Sequence, residues 1–248
     1  MTVQSQKDLI GLMKIGQIVG KILQEMLAAV EPGITTGELD AMGAAMLKQY
    51  GARSAPIVTY NFPGATCISI NDEAAHGIPG GRVIQPGDLV NIDVSAELNG
   101  YYADTGASIP VPPVSPLVQK LCDCAQHALT KGIDAARSGR RMYRIGQAME
   151  SEVKRCGFKS IKDLPGHGVG RKLHEPPSVP GFYKRSAKER LTDGLVITIE
   201  PFVSVSAQHI VQDEDGWTLV TTDGSLAVQY EHTVVITKDK PILLTKVD

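Results

Sequence analysis

The order in which helical and strand-like periodicities follow one another constrains this chain most. From Gln6 to Val30 the residues Leu9, Met13, Ile15, Ile18, Val19, Ile22, Leu23, Met26 and Leu27 recur at helical spacing until Pro32-Gly33 stops the run. Thr35 and Glu38 form a capping box that opens a second helix through Leu39, Met42, Met46 and Leu47 to Gly51. Short strand-like runs follow: Val58-Thr59-Tyr60, Cys67 to Ile70, and Leu89 to Val94. The order then repeats. Ser115-Pro116 starts a helix carrying Leu117, Leu121, Cys124, Ala128 and Leu129, and Met142 to Cys156 reads as another. Strands return at Leu195–Glu200, Trp217–Thr221 and Ala227–Thr237, separated by Asp-Gly turn pairs. Two copies of helix, helix, antiparallel strands predict one α+β domain over residues 1–248, with halves at about 1–114 and 115–248. The repeat is one of element order, not of residues.

Bulk properties narrow the functional classes. The chain is 42% hydrophobic and 21% charged, with no apolar stretch long enough to span a bilayer. The N-terminal MTVQSQKDLI lacks the layout of a signal peptide, so a cytoplasmic protein is expected. Cys67, Cys122, Cys124 and Cys156 show no C-x-x-C spacing, which argues against a zinc knuckle and a disulfide framework. A net charge of -2 with scattered Lys and Arg gives no footprint for nucleic acid.

Asn99-Gly100 is a two-residue hairpin signal, which sets Leu98 opposite Tyr101 and Ser95 opposite Asp104. Asp93 then shares the face of Asp104 on the diagonal, at roughly 7–8 Å between Cα atoms. Two like charges converging on one face require that one be protonated, that a cation lie nearby, or that the face be wet. Asp93 follows Leu89-Val90 and Ile92, and Asp is depleted in strands.

His167 and His174 lie seven residues apart amid Gly166, Gly168 and Gly170, a segment suited to close approach around something small. Glu200 ends the run Val196–Ile199 before Pro201. Alternation sets Gln229, Glu231 and Thr233 on one strand face. Each residue alone is compatible with a solvated surface; all together need that explanation four times. One imidazole and four carboxylates form a hard donor set suited to Mn(II), Fe(II), Co(II) or Zn(II), and their number predicts two ions about 3.5–4 Å apart.

The motifs Ser69-Ile70-Asn71 through His76-Gly77-Ile78-Pro79, Asn91–Val94, Tyr102–Thr105, Gly166–Gly170 through His174-Glu175, Thr198–Pro201 and Gln229–Thr233 appear in the order found in the type I methionine aminopeptidases. The chain resembles that family over nearly its whole length. The resemblance implies the pseudo-two-fold pita-bread fold and hydrolytic removal of the N-terminal methionine of nascent polypeptides when the second residue is small. It implies that Asp93 chelates one metal, His167 and Glu200 hold the other, and Asp104 and Glu231 bridge both. His174 polarises the scissile carbonyl, His76 contacts the substrate amide, and Glu200 takes a proton from the metal-bound water. Phe62, Cys67 and Trp217 are nominated for the methionine pocket, with His76 at its edge. Pro56, Thr59 and Leu173 depart from the thiol and two aromatics expected of the family there.

The likeness is to a minimal bacterial-type enzyme, acting as a monomer near the ribosome, without a long helical insertion between Glu200 and Glu231. Two rival readings stand beside it. One is a proline-specific aminopeptidase or prolidase of the same fold, whose large N-terminal domain this chain has no residues to supply. The other is a non-catalytic binding module on the same scaffold, against which the retention of every ligand candidate argues.

Overall fold

The computed structural model describes residues 1–247. Its elements run α1 (Gln6–Ala28), α2 (Thr36–Gln49), β1 (Arg53–Ser54), α3 (Ala55–Tyr60), β2 (Cys67–Ile70), β3 (Glu73–Ala75), β4 (Leu89–Leu98) and β5 (Tyr101–Pro110). There follow α4 (Pro116–Ala135), α5 (Tyr143–Cys156), β6 (Lys159–Ser160), β7 (Gly166–Gly168), β8 (Glu175–Val179) and β9 (Val196–Ile199). The chain closes with β10 (Phe202–Ser204), β11 (Ile210–Gln212), β12 (Leu219–Thr221), β13 (Ala227–Gln229), β14 (His232–Val235) and β15 (Ile242–Leu243).

Helix ends follow local chemistry. The Ser5 hydroxyl accepts the Asp8 N–H at the start of α1, and both arms of the Thr35–Glu38 capping box form at α2. Ser115 caps α4 with Pro116 in its first turn, and Gly157 ends α5 at φ 88°.

Every strand pairing is antiparallel, and helices cover the sheets. Leu12, Ile15, Val19, Ile22 and Met26 of α1 bury their stripe against Val90, Ile92, Val94 and Ala103 of β4 and β5. Leu121, Ala125 and Ala128 of α4, with Ile145, Met149 and Val153 of α5, do the same over Ile197, Ile199, Val228 and Val234. Two helix-on-sheet layers therefore face each other across the strands, an α+β pita-bread architecture. Among the described residues no helix is long and apolar enough to cross a membrane.

Two expected strands differ. Val58–Tyr60 is helical in α3, because the Ser54 hydroxyl accepts the Ile57 N–H, Pro56 occupies the first turn, and Asn61 closes the turn at φ 57°. These signals outweigh the strand preference of Val58 and Thr59. The run Ala227–Thr237 is broken at Tyr230-Glu231: β13 pairs with β10, whereas β14 pairs with β9. At the break the Glu231 N–H donates to the Gly106 carbonyl at 2.8 Å, and the Thr105 hydroxyl donates to the Glu231 carbonyl at 2.9 Å. The chain leaves one sheet for the other where the second half docks on β5.

Candidate metal centre and its cavity

The long hairpin positions the first pair of carboxylates. Asn99 (φ 54°) and Gly100 (φ 79°) both take the left-handed conformation that a type I′ turn requires. Leu98 then pairs with Tyr101 and Ser95 with Asp104, and Asp93 falls opposite Gly106. Asp93 and Asp104 thus lie on the same face of the hairpin, two register positions apart. Burial, and then the Asp104 charge, push Asp93 well above the usual carboxylate range.

His167 arrives on β7 from the other side. Its N–H donates to the Thr198 hydroxyl at 2.9 Å, and that hydroxyl donates to Glu200 Oε1 at 2.6 Å, so one threonine fixes both residues. His167 Nδ1 lies 3.0 Å from the Gly168 carbonyl, an acceptor only, so Nδ1 carries the proton. Nε2 of the neutral ring is therefore a lone pair, 3.6 Å from Asp104 Oδ2 and 3.6 Å from Glu200 Oε1. Three acceptors facing one another need a proton or a cation between them. Burial works to lower His167, but Asp104 and Glu200 overcome it and draw the ring toward its charged form.

Glu231 completes the group. Ligand atoms of Asp104, His167 and Glu231 all lie within 4.8 Å of one another. The Gln229 amide donates to Glu231 Oε2 at 3.0 Å, and Asn91 Nδ2 in turn donates to Gln229 Oε1 at 3.0 Å. Asp104 Oδ1 and Glu231 Oε1 are buried without any hydrogen-bond partner. Burial raises Glu231 far above its ordinary value, with Asp104 and Glu200 adding to it, and raises Glu200 to about 7. Buried carboxylate oxygens without donors, set around an imidazole lone pair, are the donor set of a divalent metal. The residues present fit such an ion.

All five ligand candidates thus come together from β4, β5, β7 and the segments flanking β9 and β14. A cavity of about 680 Å³ opens beside them, lined by His76, His174, Phe62, Cys67 and Trp217 among others. Phe62 and Trp217 pack edge to face with centroids 5.2 Å apart. Cys67 pairs with Asp93 across β2 and β4, and burial lifts its thiol well above the ordinary range. His76 sits at φ 57°, in the left-handed region that few residues other than glycine adopt. Pro56 and Leu173 line the cavity, whereas Thr59 is exposed on α3 and does not.

The glycines around His167 serve a purpose the sequence reading did not give them. A Cβ on Gly168 would collide with the Pro176 carbonyl and lie 2.7 Å from that of Glu175; one on Gly166 would lie 2.8 Å from the Thr198 carbonyl. The close approach they allow is that of strands β8 and β9, not of a ligand. Tyr60, Thr198, Thr233, Asn91 and Gln229 carry the supporting contacts and were assigned no role from sequence. Thr233 Oγ1 accepts the Asp104 N–H at 3.0 Å and donates to the Asp104 carbonyl at 2.7 Å. The one available signal was alternation, which set Gln229 and Thr233 on the face of Glu231.

Residues 11–238 match metallopeptidase family M24, and the chain belongs to that family. Within it the full-length likeness is to methionine aminopeptidases. Methionine aminopeptidase 2 of Bacillus subtilis strain 168 is 48% identical over 248 residues, covering 99% of this chain and 100% of that protein. A methionine aminopeptidase of Staphylococcus epidermidis is 46% identical over 250 residues, covering 100% of both. The crystal structure of methionine aminopeptidase from Thermotoga maritima superposes with a TM-score of 0.96 at 32% identity, covering 100% of both chains. Prolidase from Pyrococcus furiosus shares the fold alone, with a TM-score of 0.79 at 24% identity, and this chain spans 66% of its length.

Proposed function

We propose that this chain is a metal-dependent aminopeptidase that removes the N-terminal methionine of polypeptides whose second residue is small. The observation that carries the reading is the pair of orphaned buried oxygens, Asp104 Oδ1 and Glu231 Oε1, grouped with His167, where Asp104 and His167 line a cavity that also carries Phe62, Cys67 and Trp217. Asp93, Asp104, His167, Glu200 and Glu231 would hold two divalent ions, with Asp104 and Glu231 shared between them. Co(II), Mn(II), Fe(II) and Zn(II) all suit one imidazole and four carboxylates. When bound, such ions lower the pKa of water and offset charge developing on a carbonyl oxygen.

The protein's own groups do the rest. The wall formed by Phe62, Cys67 and Trp217 receives the apolar methionine side chain and sets the first residue. His174, at the cavity mouth, donates to the scissile carbonyl oxygen. His76 holds the substrate amide, which fixes the peptide direction and presents the chain end to the ligand cluster. Glu200, oriented by Thr198, takes a proton from the attacking water and delivers it toward the leaving amine. Both halves supply ligands, so the whole chain acts as one catalytic domain. Full-length identity to methionine aminopeptidases favours this reading over the proline-specific one.

Metal-reconstituted protein should release methionine from Met-Ala-Ser and leave Met-Lys-Ser intact. Intact Met-Ala-Ser after prolonged incubation would favour the binding module, and cleavage confined to Xaa-Pro peptides would favour the proline-specific enzymes.

A further inference from the structure

Eight of the 25 Lys and Arg residues that look scattered along the chain lie in two segments that the fold joins. Segments 137–144 and 184–190 contain eight Lys or Arg and one Glu, within a chain of net charge -2. The Arg141↔Arg190 bridge joins the two segments, and the Tyr143 N–H donates to the Ala187 carbonyl at 3.0 Å. Together they border a groove of about 740 Å³ beside the first turn of α5, lined by Arg140, Arg141, Arg144 and Arg190.

These four guanidinium groups are oriented by neutral oxygens. Arg141 donates to the Lys188 carbonyl at 2.6 Å, Arg190 to the Gly139 carbonyl at 2.6 Å, Arg144 to Gln147 Oε1 at 3.1 Å, and Arg140 to the Ala135 carbonyl at 3.5 Å. Among the described residues none of the four meets a carboxylate at ion-pair distance. Of the nearby acids, Asp134 lies 3.9 Å from Arg137 and Glu150 lies 2.9 Å from Lys154, while Glu189 is exposed and within ion-pair distance of none of the four arginines. The first amides of α5 are taken by backbone carbonyls, Met142 by Glu189 at 2.8 Å and Tyr143 by Ala187 at 3.0 Å, so the positive charge of the groove is that of the arginines. Carbonyls fix where the guanidiniums point without cancelling their charge, which is the condition for recognising phosphate bidentately.

Beside the groove Tyr183 is 43% exposed, packed edge to face on Tyr143 at 5.6 Å, with Arg144 over the Tyr143 ring. A cationic groove with an exposed aromatic at its rim fits the backbone and bases of a single strand better than a carboxylate-bearing protein surface. Exposed Gln147 and Ser151 line the same groove and offer partners for ribose hydroxyls. We infer that this groove is a docking surface for single-stranded RNA, separate from the metal centre.

The test is fluorescence anisotropy of a labelled single-stranded RNA of about 20 nucleotides against the full chain, with DNA of the same sequence in parallel. Micromolar binding to RNA at low salt is expected. The slope of log affinity on log salt should be near -3, as roughly four phosphate contacts on a single strand require. The double variant Arg140→Ala/Arg190→Ala should bind at least tenfold more weakly, with cleavage of Met-Ala-Ser unchanged. Arg144→Glu, exposed on α5, gives the same reading should the double variant fold poorly. Absence of RNA binding, unaltered affinity in Arg144→Glu, or DNA binding as tight as RNA would overturn the inference.

Discussion

The Tyr60 hydroxyl and His174 Nδ1 lie 2.6 Å apart, joining α3 to the loop that follows β7 across the mouth of the cavity. Burial, and then the Asp104 charge, raise Tyr60 above its ordinary value, so the phenol keeps its proton and donates it. Nδ1 is then the acceptor, and the ring proton sits on Nε2. Loss of water around the ring, ahead of its neighbour His167, lowers His174 to about 4, although one edge stays exposed at the mouth. A neutral ring with a fixed Nε2–H is a hydrogen-bond donor toward a carbonyl. Tyr60→Phe removes the group that selects this tautomer. Steady-state kinetics on Met-Ala-Ser should show kcat reduced about tenfold, or about 1.4 kcal/mol, with KM little changed. Tyr60 is 46% exposed, so the melting temperature should stay within about a degree of the parent. An unaltered kcat would show that His174 needs no such partner.

Gly168→Ala probes the joint between β7 and β8. Its Cβ would meet the backbone carbonyls of Pro176 and Glu175, and neither has a rotamer to yield. Relief requires β8 to move off β7, which carries His167 away from Asp104 and Glu200. A loss of about 1–3 kcal/mol is expected by thermal or urea unfolding. Metal affinity measured by titration calorimetry should fall in the same variant. Parent-like stability would show that the sheet absorbs the methyl group.

What sequence reasoning recovered was local. The Asn99-Gly100 turn and the two-residue period of strands suffice to set Asp93 beside Asp104, because neither depends on distant residues. The same holds for the Thr35–Glu38 box. The break at Tyr230-Glu231 was not legible, since its cause is Gly106 and Thr105, more than 120 residues earlier in the chain. An unbroken alternation from Ala227 to Thr237 had no way to register that docking. Tyr60–His174 and Asn91–Gln229 are hidden for the same reason: their partners are set by how the halves meet. Val58–Tyr60 was misread because β-branched residues were weighed above a serine cap and a first-turn proline. The glycines that flank His167 are needed by two strands, since a Cβ there would meet the backbone of β8 and β9.

Metal loading should stabilise the fold as well as activate it. Asp104 Oδ1 and Glu231 Oε1 are buried without donors, and the carboxylates around them repel. An ion that binds the folded state alone adds about 2.7 kcal/mol at a concentration one hundred times its Kd. Differential scanning calorimetry of chelator-treated protein, with and without Mn(II), should therefore show a rise of several degrees on loading. In Asp104→Asn the rise should largely disappear and cleavage of Met-Ala-Ser should be lost, while unfolding stays cooperative. Retained turnover in that variant would remove the proposed shared ligand.

Acid stability offers a test away from the metal centre, at the strap that holds the His174 loop to α1. Asp8 accepts the Tyr101 hydroxyl at 3.0 Å and the Arg171 guanidinium at 2.6 Å, and that guanidinium lies 4.0 Å from the Tyr101 ring centroid. The Gln4 N–H and the Ser5 hydroxyl, and after them Tyr101 and Arg171, hold the Asp8 carboxyl below its ordinary 3.8. A carboxyl lowered in the folded state stabilises the protein fully above its unfolded value, and that contribution drains away as pH falls through the folded one. Asp8→Asn should therefore melt below the parent at pH 5 to 7. The gap between the two melting curves should close as pH is taken from 4 toward 2. A gap that stayed constant over that range would mean that the contribution of Asp8 does not depend on its charge.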